Sequence, residues 1–413
     1  MRLIICLLVG LLISMPALAL DRINLLFIGQ VVPETCPLPF WFESEPAATF
    51  TLVPTKVHWR MDLDEARRQV RLYFPRTREL TWEYDFFMYI NPYFEPFTPV
   101  QIDNMYSAIT ENGGGGFQTL GGITIDSAEP NFAWLQSTLA PAFPNDPSAV
   151  ELWRQTTAGR AAYKVVLEKD SGLPPVLTPF LDVGIEEVPG STFYIVAMEP
   201  QEGTTTWARA AGAFPKVTGR EFPWLLSWGV GSGMTWSVAD DLDVPWWSSI
   251  YEPSKQEYGL DILMNIIQHS LGRPIPQDVI VVNAVRRNLR NYNERVSTIN
   301  AFIDFIEKFG ANSNQVLGDK AEVDEIIEGA RDSYLDSRYD EALALSEEAN
   351  RAIVEFELRT MRLKDQALLW VYFTEWVAVS GTLLLSGYLV FFLMLRRGLY
   401  RRVRTTRLRS ELE

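Results

Sequence analysis

The chain has 413 residues, 47% of them hydrophobic, and a formal net charge of −15 from 52 acidic and 37 basic side chains. The length allows two domains or more, and the acidic balance excludes a nucleic-acid partner, because a phosphate backbone demands the opposite sign. With two cysteines and two histidines in all, and no calcium-loop or zinc-ligand spacing, neither a metal nor a cofactor is expected.

The opening "MRLIICLLVGLLISMPALAL" combines Arg2, an apolar run from Leu3 to Met15 and the small-residue site Ala17-Leu18-Ala19. This is the pattern of a secretory signal over residues 1–19, with an uncleaved anchor as the alternative. Removing it takes Cys6 away and leaves Cys36 with no disulfide partner in the chain. "INLLFIG" then predicts a buried parallel strand from Ile23 to Gly29, "DEARRQVRLYF" a helix, and "YDFFMYIN" a second buried strand. In "FTPVQIDNMYSAITENGG", Thr98 and Pro99 open a helix and the glycines stop it, before a third strand in "GFQTLGG". Strand, helix, strand, helix, strand predicts an open α/β sheet of flavodoxin-like type, with ligand sites at the carboxyl ends of the strands.

All 25 prolines lie at or before Pro276. The sequence therefore predicts an α/β domain over residues 20–277 and a charged, helix-periodic hairpin or stalk over 278–366. Around "SYLDSRYDEALALSEEA" it resembles a single tetratricopeptide-type hairpin, which would need neighbours to bury its faces. Residues 367–395 end in the uncharged stretch from Trp376 to Leu395, long enough to cross a hydrocarbon core of about 30 Å as a helix. The tail 396–413 carries seven arginines from Arg396 to Arg409, the flank expected on the cytoplasmic side. A single-pass protein of the cell membrane is predicted, N-terminal domain outside and C-terminal tail inside. Ala378, Thr382 and Ser386 form a small-residue stripe on the span that permits close helix approach, so a membrane-protein complex or a homo-oligomer is a further expectation.

"YDFFMYINPYFEPFTPVQIDNMYSAITENGGGGFQTLGG", "PPVLTPFLDVGIEEVPGSTFY", "FPWLLSWGVGSGMTWSVADD" and "YGLDILMNIIQHSLG" together resemble the class I glutamine amidotransferase-like fold, and especially its ThuA-like relatives. The resemblance spans Ile23 to Gly272. It implies that Gly121 and Gly122 form the strand exit at which active members hold a cysteine, activated by a histidine and served by backbone N–H groups. Here Gly121 takes that place, and Ala239-Asp240-Asp241 stands where the histidine would follow. The implied function is a ligand-binding or assembly module without the catalytic pair. The ligand residues it points to are Gly115, Gly116, Thr119, Gly121, Gly122, Glu186, Glu187, Asp240 and Trp236.

Two rival readings use other residues. Glu187 and Asp240 are the carboxylates of a surface hydrolase acting on glycans or amides. Cys36 and His58 are a conceivable nucleophile and base, while His269 lies on a helix where packing is the plain reading. Trp207, Trp224, Trp228, Trp236, Trp246 and Trp247 cluster in one segment, and their rings suit a carbohydrate ligand or a core equally.

Overall fold

The computed structural model describes residues 22–410 except 33–35, 37, 57–60, 121–131, 148–161, 169–173, 184–186, 192–195, 212–220, 240–257 and 309–313. The expected signal, Gly121, Gly122, Glu186, Asp240, His58, Trp246 and Trp247 lie outside the described residues.

Among the described residues, nine strands form one sheet in the order β2-β1-β3-β4-β9-β8-β7-β5-β6. They are β1 (Ile23–Gln30), β2 (Ala48–Lys56), β3 (Phe86–Ile90), β4 (Gly115–Thr119), β5 (Ala162–Leu167), β6 (Glu187–Ser191), β7 (Thr205–Ala211), β8 (Phe222–Val230) and β9 (Gly233–Val238). The first five in spatial order pair in parallel, which is the flavodoxin-like order with β9 as the fifth strand. β8, β7, β5 and β6 extend that sheet in antiparallel pairings. Every residue of β3 and β4 is buried, β3 as its unbroken apolar run requires and β4 with the polar Gln118 and Thr119 included, whereas the edge strand β2 is half-covered and tolerates Pro54.

The helices in chain order are α1 (Leu38–Phe42), α2 (Leu63–Tyr73), α3 (Arg78–Thr81), α4 (Pro99–Thr110), α5 (Phe132–Leu135), α6 (Gly259–Ser270), α7 (Val279–Lys308), α8 (Asn314–Leu335) and α9 (Tyr339–Ser410). Their starts follow local chemistry. Asp62 accepts from the N–H groups of Asp64 and Glu65 to begin α2, and Thr98 and Gln101 close a reciprocal capping box on α4 with Pro99 in the first turn.

The four consecutive glycines after α4 have separate tasks. Gly113, at φ +79°, reverses the chain beyond the helix in a left-handed conformation. Gly115 pairs with Phe86 across the ladder, and a Cβ there would overlap the Phe86 ring. The run therefore stops a helix and lets β4 slide beneath an aromatic side chain.

The chain divides into two compact units. One comprises Met1–Arg290 with Glu328–Ser346, the other Asn291–Ile327 with Glu347–Glu413. The start of α7, the end of α8 and the start of α9 are thus in the unit that holds the sheet. The reason is a buried polar network. Arg286 on α7 donates through Nε to Glu45 Oε2 at 2.5 Å and through a terminal N–H to Asp261 on α6. Asn283 Nδ2 donates to Asp261 Oδ2 at 2.8 Å, Tyr334 O–H from α8 to Glu45 Oε2 at 3.0 Å, and the Ala47 N–H to Glu45 Oε1 at 3.0 Å. Burial works against the Arg286 charge, but Glu45, Tyr334 and Asp261 outweigh it and hold its pKa well above the ordinary guanidinium value.

Within the second unit, Ile299, Ile303, Val323, Ile327, Ile353 and Phe356 are buried, Tyr292 pairs with Asp324, and Lys364 Nζ sits 4.8 Å from the Phe302 ring centre. α9 carries the one helix among the described residues that is long and apolar enough to cross a membrane, with mean hydropathy 2.0 in its most apolar window.

Candidate functional site at the carboxyl edge of the sheet

The strand order reverses between β1 and β3, since the chain leaves β1 for β2 on one side and returns with β3 on the other. In open α/β sheets the crevice beyond the carboxyl ends at such a point is where ligands bind. Three backbone features mark it. Gly29 at the end of β1 has φ +121° and lies so close to β3 that a Cβ would overlap the Ile90 carbonyl. Asn91, just after β3, takes φ +43°, a left-handed conformation that asparagine tolerates better than most residues. Its N–H donates to Thr119 Oγ1 at 2.8 Å, and that hydroxyl donates back to Asn91 Oδ1 at 3.1 Å, locking the end of β3 to the end of β4.

Gln30 follows Gly29. Its side chain is fully buried, and neither its amide oxygen nor its amide nitrogen has a hydrogen-bond partner. A buried amide in that state costs about 1–3 kcal/mol for each missing bond, so the hydrogen-bonding chemistry of Gln30 is unspent. A second polar cluster joins β4 to β9. Gln118 Nε2 donates to Asn145 Oδ1 at 2.5 Å and to Ser237 Oγ at 2.8 Å, and Ser237 Oγ donates to Asn145 Oδ1 at 2.8 Å. Gln118 Oε1 is left without a partner.

Several residues expected at a single site are held apart. Gly115 begins β4 and Thr119 ends it, a separation of about 13 Å at about 3.3 Å per residue. Gly115 and Gly116 are buried, and a Cβ on Gly116 would meet Ile109 at 3.2 Å and Phe143 at 3.3 Å, so neither glycine offers a ready surface to a ligand. Trp236 is mid-strand opposite Phe117, fully buried, and donates its indole N–H to Ser270 Oγ at 2.7 Å. Its ring is core, as are those of Trp207 and Trp224. Thr119 is at the right edge, already engaged by Asn91. Glu187 opens β6, four strand steps from β9, or roughly 19 Å at about 4.8 Å per step.

The described histidine is placed away from this edge. Ser270 packs beside Gly115 at the amino end of β4, and its neighbour His269 lies against the rings of Trp207 and Trp236 at 5.8 and 6.1 Å. Burial there lowers the His269 pKa and favours the neutral ring. Cys36 is a fully buried residue between β1 and α1, its N–H donating to the Val32 carbonyl at 2.9 Å. Among the described residues no group of three or more His, Cys, Asp or Glu side chains is placed to hold a metal ion.

Gln30, Asn91, Gln118, Asn145 and Ser237 were not singled out by sequence reasoning. The signal was present for two of them: a lone amide at the end of each unbroken apolar strand, Gln30 after "INLLFIG" and Asn91 after "FFMYI".

No family model matches the chain, and no curated protein matches it. Among solved structures it is similar to the cytoplasmic protein STM1381 of Salmonella typhimurium LT2, with 15% identity, 60% of this chain and 99% of that one covered, and a TM-score of 0.44. The cytoplasmic protein STM3548 of Salmonella typhimurium has 11% identity, the same coverage and a TM-score of 0.43. The mmIFT52 N-terminal domain has 10% identity, with 60% and 97% covered and a TM-score of 0.34. Likenesses of this order assign no function.

Proposed function

We propose that this chain is a single-pass protein of the cell membrane whose α/β unit, amidotransferase-like and held outside the cytoplasm, binds a ligand or partner without transforming it. The observation that carries the reading is the chemistry of the carboxyl edge. Most of its described side chains are the neutral amides and hydroxyls of Gln30, Asn91, Gln118, Thr119, Asn145 and Ser237, which recognise by hydrogen bonding, with the buried cation Lys56 opposite Gln30 at the end of β2. His269, the described imidazole, is on the amino-end side and cannot serve as base for a group at this edge. Gly121 at the position where the resemblance places a cysteine supports the same reading. So does the helix α9 for the anchor, with the arginine tail favouring a cytoplasmic C-terminus. The N-terminal signal over residues 1–19, self-association through the span and a carbohydrate ligand belong to this proposal.

Purified full-length protein assayed against glutamine and chromogenic amide and ester substrates is expected to show no turnover above buffer. Turnover abolished by Cys36→Ala would overturn the binding-module reading. Fusing a reporter that fluoresces only in the cytoplasm to the C-terminus tests the anchor separately, and a dark, membrane-inserted fusion would reverse the orientation.

A further inference from the structure

A cleft of about 570 Å³ opens on the sheet-bearing unit between α4 and the end of β8, a size in the range of small-molecule sites. It is not the carboxyl-edge crevice. Trp228, on its wall, pairs with Thr235 near the start of β9, and Glu111, also on its wall, follows the last turn of α4. Both place it toward the amino ends of the parallel strands.

We propose that this cleft binds a neutral, pyranose-containing glycan, with Trp228 as the platform on which a sugar ring stacks. The neighbouring tryptophans show why Trp228 differs. Trp207 and Trp236 are buried and spend their indole N–H groups on Ser227 Oγ at 2.8 Å and Ser270 Oγ at 2.7 Å. Trp228 is only half-buried, and its indole N–H donates to no described residue. A half-buried indole with an unused donor on a cleft wall suits a pyranose, whose C–H face stacks on aromatic carbon while its hydroxyls accept hydrogen bonds.

The remaining lining supplies fixed polar groups. Thr138 Oγ1 donates to Asp103 Oδ1 at 2.7 Å, and Arg78 is ion-paired with Glu111 while its guanidinium lies 4.7 Å from the Trp82 ring centre. These contacts orient the groups before any ligand arrives, which lowers the ordering cost of binding. Tyr106 adds a 36% exposed ring whose hydroxyl has no described partner. The charged lining, Arg78 against Asp103 and Glu111, sums to −1. That sign disfavours phosphorylated or uronate-rich glycans.

The test titrates full-length protein, held in a detergent without a sugar headgroup, with maltohexaose, cellohexaose and chitohexaose, followed by calorimetry and tryptophan fluorescence. At least one oligosaccharide is expected to bind, with Trp228→Ala weakening it about tenfold or more and Tyr106→Phe about two- to fivefold. Trp228→Phe, which keeps a ring but loses the N–H, is expected to fall between wild type and Trp228→Ala and guards against simple misfolding. Absence of binding across the panel, or binding that survives Trp228→Ala, overturns the proposal. Neither result bears on the carboxyl edge, where Trp228 makes no contact with Gln30 or Asn91.

Discussion

Replacing Arg286 by methionine removes the cation between Glu45 and Asp261 while keeping much of the side-chain volume. Both carboxylates are buried, at 0% and 3% side-chain exposure, and the guanidinium at 3%. Two opposite charges about 4 Å apart attract by about 4 kcal/mol at an effective dielectric of about 20, and each carboxylate loses one such partner. Much of that gain offsets the cost of taking the ions out of water, so the net loss expected is the about 3–5 kcal/mol typical of a broken buried pair. Glu45 keeps its bonds from Ala47 N–H and Tyr334 O–H, and Asp261 keeps Asn283, which favours the lower end. For a unit of this size the change lowers the midpoint of thermal unfolding by about 6–15 °C. Tryptophan fluorescence of the full-length protein reads this unit, because Trp134, Trp224 and Trp236 are buried in it. The triple replacement Glu45→Gln, Asp261→Asn, Arg286→Met removes the stranded charges and should recover most of the loss. A shift below about 2 °C in Arg286→Met, or a triple variant less stable than the single one, would refute the view that a charged network holds these helices to the sheet.

Gly115→Ala should destabilise the sheet-bearing unit by about 1–3 kcal/mol, since the added methyl overlaps the Phe86 ring; urea unfolding measures it, and an unchanged midpoint would mean that Phe86 moves aside freely. Tyr89→Phe should leave stability unchanged or raise it by about 1 kcal/mol, because the hydroxyl it removes is buried without a partner; a loss of 2 kcal/mol or more would reveal an acceptor. Burial lowers the His269 pKa, so the unfolded chain takes up the proton first. The stability it contributes is complete above about pH 6.5 and declines as pH falls toward the folded value. His269→Phe should flatten that decline, and an unaltered pH profile would assign it to other groups.

The parallel half of the sheet was legible because its strands are buried on both faces and read as unbroken apolar runs, as "INLLFIG" and "FFMYI" do. The glycine run announced a helix stop and a close approach, and Gly113 and Gly115 supply one each. The antiparallel half was harder. β5 to β8 are joined by long connections, β6 contains both a proline and a glycine, and its partner β5 lies about 20 residues away, so periodicity alone could not set the pairing. Site residues were missed for a different reason. A motif-based reading gathers residues that are neighbours in sequence, and a strand spreads them along its length. Gly115 and Thr119 share a motif but stand at opposite edges of the sheet, whereas Gln30 and Asn91 share no motif and meet at the same one.

The proline-free stretch after Pro276 reads as the start of a helical hairpin or stalk, and its first turns lie in the sheet-bearing unit. Val279, Val282, Val285 and Leu289 are 4%, 1%, 0% and 1% exposed, and Arg286 lies among them on the same helix. Burying four such aliphatic side chains contributes about 6–12 kcal/mol, comparable with the whole stability of a typical domain. A chain ending at Gln277 would lose that burial and leave Glu45 and Asp261 facing each other without a cation. It should therefore express as an aggregating or molten species, lacking near-ultraviolet dichroism and a cooperative transition. Residues 22–290 alone would still lack Tyr334 from α8, the donor to Glu45, and should recover cooperativity only in part. A fragment of residues 22–277 with a sharp thermal transition and native near-ultraviolet dichroism would show that the helices are accessories to the sheet.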